Sequence, residues 1–134
     1  KEGDDQLNTF NPLFPRGAYF GYAAIIGPAN LFDAHPSFAV PVAAHLVLDI
    51  DADLFYRYSK ADGIYGPNAA MIYPGKGSNQ KRIGEQYSMD LIYTPNVHLY
   101  MRGELTFFKA GPYLKDVSAG KNILFAGVTT EFKF

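Results

Sequence analysis

The densest run of ionisable side chains is Asp49-x-Asp51-x-Asp53, followed four residues later by Arg57. Three carboxylates at alternate positions invite a hard cation such as calcium. A calcium loop of the helix–loop–helix kind requires glycine at its sixth position and glutamate at its twelfth, where this chain has Leu54 and Lys60. A β-strand explains the spacing without a metal, because side chains two apart share one face. His35, His45 and His98 are scattered and there is no cysteine, so neither a metal nor another cofactor is expected. No G-x-S-x-G elbow, glycine-rich phosphate loop or clustered triad is present, and Gly63, Gly66, Gly75 and Gly77 suit turns. Nothing here supports catalysis, and the chain is not expected to be an enzyme.

The other charged candidates are Asp90, Arg102, Glu104, Glu131 and Lys133, and a period of two positions them all. In 45–59, Leu46, Leu48, Ile50, Ala52, Leu54, Tyr56 and Tyr58 alternate with a largely polar set that holds Asp49, Asp51, Asp53 and Arg57. Residues 84–94 oppose Tyr87, Met89, Leu91 and Tyr93 to Gln86, Ser88 and Asp90. In 97–108, Val97, Leu99, Met101, Leu105 and Phe107 oppose His98, Arg102, Glu104 and Thr106. Residues 123–134 set Leu124, Ala126, Val128, Phe132 and Phe134 against Gly127, Thr129, Glu131 and Lys133. A weaker strand over 37–43 contains Pro41, and residues 1–36 form an irregular loop region with a possible short helix or strand at 18–26.

These strands are expected to form an antiparallel, all-β, up-and-down array over 37–134. Short turns near Ala43-Ala44 and Thr94-Pro95-Asn96 alternate with longer connections over 60–82 and 111–121. That asymmetry matches the periplasmic and extracellular ends of a transmembrane β-barrel. Ten tyrosines and eleven phenylalanines occur without a single tryptophan. On the apolar face, Tyr56, Tyr58, Tyr87 and Phe107 fall toward the long-loop end, and Tyr93, Phe132 and Phe134 toward the short-turn end. Aromatic rings at two heights around an aliphatic band form the girdles of a membrane barrel, so the expected partner of this face is lipid. The charged set then lines a water-filled lumen, where Arg102 and Glu104 are expected to pair with neighbouring strands. A net charge of −1 gives no reason to expect nucleic acid.

Several segments carry a family likeness. Asn11-Pro-Leu-Phe-Pro15, Tyr19-Phe-Gly21, Gly27-Pro-Ala-Asn30, Asp53-Leu-Phe-Tyr-Arg57-Tyr-Ser, Asp62-Gly-Ile-Tyr65, Ile83-Gly84, Gly111-Pro-Tyr-Leu-Lys115 and Phe132-Lys-Phe134 occur in order along the chain. Together they resemble the C-terminal part of the alginate export family of bacterial outer-membrane barrels. The resemblance implies a porin-like or polysaccharide-export channel of about eighteen strands, passing a hydrophilic solute that is anionic in the family's best-known members. It implies a basic pore lining that Arg57 alone carries over, and an aromatic end signal at Phe134 for the barrel-assembly machinery. The family has tryptophan at the position of Tyr56 and acidic residues at those of Gln86 and Ser88, departures that bear on the solute more than on the fold.

Five strands leave two open edges, which hydrocarbon does not tolerate, so the remaining strands of a parent barrel or further copies must close the array. Two rival readings stand beside the channel. One is a soluble β-barrel or sandwich with a hydrophobic ligand inside; the other is an adhesion or structural module that binds through the loop 64–74.

Overall fold

The computed structural model describes residues 17–134; the motif Asn11–Pro15 and the start of the irregular region lie outside them. In chain order the strands are β1 (Leu31–Ala34), β2 (Ser37–Ala43), β3 (Leu46–Arg57), β4 (Ile64–Tyr65), β5 (Met71–Tyr73), β6 (Arg82–Tyr93), β7 (Leu99–Ala110) and β8 (Ile123–Phe132). A single short helix, α1 (Pro112–Val117), lies between β7 and β8 among these residues. The fold is all-β and antiparallel. No helix among the described residues is long and apolar enough to cross a membrane, which says nothing of strands.

The main sheet is a meander in which β3, β6, β7 and β8 follow one another, with β1 and β2 sharing the other side of β3. β1 and β2 act as one strand interrupted at His35-Pro36. Proline supplies no N–H, yet its carbonyl still accepts from Ala52 N at 3.0 Å, so the ladder carries on past the break. Pro41 is tolerated because β2 lies at the sheet edge, beside a bulge between Pro41 and Ala43. Pairing therefore begins at Leu31, inside the region expected to be irregular. Residues 18–26 are neither helix nor strand but bends and turns, with Gly21 at φ 89°.

Both short connections are tight. His45 adopts φ 63° to reverse the chain after β2, and its carbonyl accepts from Thr94 N at 2.9 Å. The two longer connections are structured. The loop 60–82 contains the β4–β5 hairpin, and the loop after β7 opens with Pro112 at the start of α1, where a missing N–H costs no hydrogen bond.

The apolar core lies at the long-loop end. Ile26, Phe55, Ile64, Ile83, Phe108, Ala110, Tyr113 and Leu114 pack together there, with Phe20 and Ile25 against them. Phe20 meets Phe55 edge-on at 5.1 Å. Along the rest of the sheet the usual order of a soluble domain is inverted. Asp53, Gln86, Ser88, Asp90, Glu104 and Thr106 are buried, while Phe38, Ile50, Met89, Leu91, Leu105, Leu124 and Val128 stand exposed on the opposite face.

Candidate functional site

Antiparallel register sorts the polar face into cross-strand rows, since directly paired residues point to the same side. Tyr100 and Glu131 pair nearest the short turns, and one row further in Ile92 pairs with Arg102 and Arg102 with Thr129. The next row is Asp49, Asp90, Glu104 and Gly127; then come Asp51, Ser88, Thr106 and Phe125. Above them Asp53, Gln86 and Phe108 form a row in which the polar face turns apolar. Sequence alternation alone cannot show this change, because it assigns a face and not a height.

One hydrogen-bonded chain runs through these rows. Arg102 Nη2 donates to Asp90 Oδ2 at 2.5 Å and lies 3.2 Å from Glu104 Oε2. Thr106 Oγ1 donates to Glu104 Oε1 at 2.9 Å and lies 3.3 Å from Ser88 Oγ, from which it can accept. Gln86 Nε2 then donates to Asp53 Oδ2 at 3.0 Å. A hydrogen bond to a charged group is among the stronger ones, so the net holds these side chains against the sheet.

A strap of chain over residues 20–22 lies on this net. Gln86 Nε2 donates to the carbonyl of Phe20 at 2.6 Å, and Tyr22 N donates to the Glu104 carboxylate at 3.1 Å. The Arg102 guanidinium lies 4.4 Å from the centre of the Tyr22 ring, a cation–π contact. Gly21 allows the approach, because a Cβ there would meet Glu104 Oε1 at 3.1 Å and its φ is left-handed. The expected open, hydrated face is thus covered at Gln86, Glu104 and Arg102 by a segment from the long-loop end.

Arg57 requires a correction. It is 1 % exposed, enclosed by the loop 60–82 and not open on the polar face. Its guanidinium donates to the carbonyls of Lys60, Asp62, Gly75, Ser78 and Gln80 at 2.6–3.3 Å and stacks 4.0 Å from the Tyr113 ring. Five donors in a planar fork suit convergent backbone carbonyls better than any other side chain. Arg57 therefore ties the loop 60–82 to the end of β3. Tyr113 completes the arrangement by donating to the carbonyl of Pro74 at 2.8 Å. Burial raises its phenol above the usual value, and the nearby Arg57 charge acts against the rise.

The remaining positions fall as follows. Asp49 and Asp51 face the same side as Asp90 and Ser88 at half-buried sites. Glu131 and Lys133 are exposed at the short-turn end, 3.3 Å apart. On the opposite face Tyr87, Tyr93, Phe107, Tyr58 and Phe132 are exposed. Tyr56 packs near Phe32 at 6.3 Å, and Phe132 meets Phe134 edge-on at 5.4 Å. Glu85 and Lys109 pair across strands on that face just beyond Tyr87 and Phe107, and Glu85 accepts from the Tyr87 hydroxyl at 2.7 Å. This charged row ends the apolar band.

The inverted surface and the family likeness can be compared with known proteins. The family model described as alginate export matches residues 2–122. The chain belongs to the alginate export family. Comparison with curated proteins and with solved structures returned no match. Membership places the chain, at the level of the family, among outer-membrane proteins of polysaccharide export and not among enzymes. The matched span includes the strap, the Arg57 loop and all rows of the polar face up to β7.

Sequence reasoning missed the strap residues Phe20 and Tyr22 and the pair Asp33 and His35. Asp33 and His35 continue the odd-numbered polar set backward from Ser37, alternating with Phe32 and Ala34, but Pro36 hides the continuity. For the strap no periodic signal exists, because it is irregular in conformation and its hydrogen bonds to Gln86 and Glu104 are made by backbone atoms.

Proposed function

We propose that this chain is an arc of a larger, closed outer-membrane β-barrel that passes a hydrophilic polysaccharide. The observation that carries the reading is the inverted surface: a hydrogen-bonded polar face opposite an exposed aliphatic one bounded by rings. In water such a face leaves apolar side chains uncovered across the sheet, from Phe38 through Leu91 to Val128. In a bilayer the same face is solvated by acyl chains, and the polar face lines the path. Closure by the remaining strands of a parent barrel, or by further copies, satisfies the free edges of β2 and β8. Recognition of Phe134 by the barrel-assembly machinery belongs to the same proposal.

The path supported here is restricted, not wide. Tyr22 over Arg102 and the strap over Gln86 and Glu104 narrow the polar face midway along the strands. Hydroxyl, amide and carboxylate groups present alternating donors and acceptors, which suits sliding of a hydroxyl-rich polymer with no single tight site. The test is planar-bilayer recording of the parent barrel, combined with heat-modifiable migration in gels. Discrete conductance steps, reduced by added polysaccharide, support the reading. Solubility without detergent and an absence of conductance refute it.

A further inference from the structure

A second cluster lies on the polar face beside the edge strand, joined to the net already described through Asp53 alone. Asp33 and His35 come from the interrupted edge strand and Asp53 from β3, and one ligand atom from each falls within 4.8 Å of the others. His35 Nδ1 lies 3.0 Å from Asp53 Oδ1 and 3.9 Å from Asp33 Oδ2. Asp53 is fully buried, yet its Oδ1 has no hydrogen-bond partner, and neither has Asp33 Oδ1. Nδ1 of His35 and Oδ1 of Asp53 are thus close neighbours without the alignment of donor and acceptor. Two ligands of one ion stand in that relation.

We propose that Asp33, His35 and Asp53 bind one divalent cation of the zinc type. An imidazole nitrogen with carboxylate oxygens suits zinc and its first-row neighbours, whereas calcium and magnesium prefer oxygen alone. Ligands about 2.0–2.1 Å from a tetrahedral metal stand about 3.3–3.4 Å apart, between the two distances that His35 Nδ1 makes. Asp51 Oδ1 lies 3.8 Å from Nε2 on the other side of the ring. A carboxylate beside the second nitrogen is what fixes the tautomer of a metal-bound histidine. Charge points the same way. Three carboxylates surround one imidazole, and among the described residues no lysine or arginine forms an ion pair with any of them. His35 is 41 % exposed, which leaves a position for water on the open side. The proposal does not depend on transport, and its test reads metal and not conductance.

The experiment is titration of the chelator-treated, folded parent barrel in detergent with Zn²⁺ alone, followed by calorimetry and by X-ray absorption at the zinc edge. One equivalent is expected to bind, with one imidazole and carboxylate oxygens in the coordination sphere. His35→Gln and Asp33→Asn should each weaken binding at least about tenfold, and Asp51→Asn by about tenfold through loss of the orienting carboxylate. Asp49→Asn, on the same face but outside the cluster, should leave binding unchanged, and Ca²⁺ should bind far more weakly than Zn²⁺. Heat-modifiable migration reports whether each variant has folded. Should Asp33→Asn fail to fold, His35→Gln decides, since its half-open side chain carries little of the packing. No saturable Zn²⁺ binding to the folded protein, or equal affinity in the folded His35→Gln variant, overturns the site.

Discussion

Placing an arginine at two depths on the apolar face separates a membrane surface from a soluble core. Leu48 pairs with Val40 on one side and Leu91 on the other, and the row continues through Gly103 and Val128. No member is polar. Six residues along β3, Leu54 pairs with Glu85, which in turn pairs with Lys109. At roughly 3.4 Å per residue, six residues span about 20 Å along the strand. A strand tilt of about 40° reduces this to about 15 Å along the membrane normal. The row of Leu48 is wholly apolar, whereas the charged Glu85–Lys109 pair beside Leu54 marks the edge of the apolar band, so Leu48 lies within hydrocarbon and Leu54 at its boundary. Leu48→Arg should then cost about 2–4 kcal/mol and Leu54→Arg about 0–1 kcal/mol. Equilibrium unfolding of the parent barrel in urea from lipid vesicles, followed by the loss of heat-modifiable migration, measures both. Equal costs, or a larger cost at Leu54, would refute the assignment of depth.

Arg57→Met removes the donors that hold five loop carbonyls, and one buried charged hydrogen bond alone contributes about 1.5–3 kcal/mol. Limited proteolysis should then cut the loop 60–82 in a barrel that still shows heat-modifiable migration. Tyr22→Ala removes a cation–π contact of about 0.5–2 kcal/mol and the ring above Arg102, so single-channel conductance should rise while folding is retained. An unchanged conductance would show that the strap does not narrow the path. Gly27→Ala places a Cβ 2.1 Å from the Gly66 carbonyl oxygen, an overlap that should cost about 1–3 kcal/mol. Hydrogen exchange at Gly27 N, which donates to Tyr65 O at 2.8 Å, should accelerate in that variant.

The strands were legible because a period of two runs through most of Leu46 to Tyr58, broken only by Val47 and Phe55 on the polar side. The same mark limits register to pairings that keep both apolar sets on one face, as Leu48 with Leu91 does, and leaves the choice among them to the turns. The turn at Ala43-Ala44 was legible only from the lengths of its flanking strands, with His45 supplying the unusual backbone angle. Arg57 was misjudged because alternation gives its side but not its surroundings, and the loop that receives it closes from residues 60–80. The cluster around His35 was hidden for a related reason. Its members are adjacent across a strand pair, where sequence spacing carries no distance, and Pro36 interrupts the pattern that would have extended the strand.

Single cysteines introduced at positions 48, 49, 50 and 51 of this naturally cysteine-free chain permit the most direct measurement. Each is spin-labelled in the barrel reconstituted into vesicles, and collisions with oxygen and with a water-soluble nickel chelate are compared. The account predicts oxygen-dominated relaxation at 48 and 50 and nickel-dominated or shielded behaviour at 49 and 51. Labels at 48 and 50 that meet neither reagent, or four positions that respond alike, would contradict it.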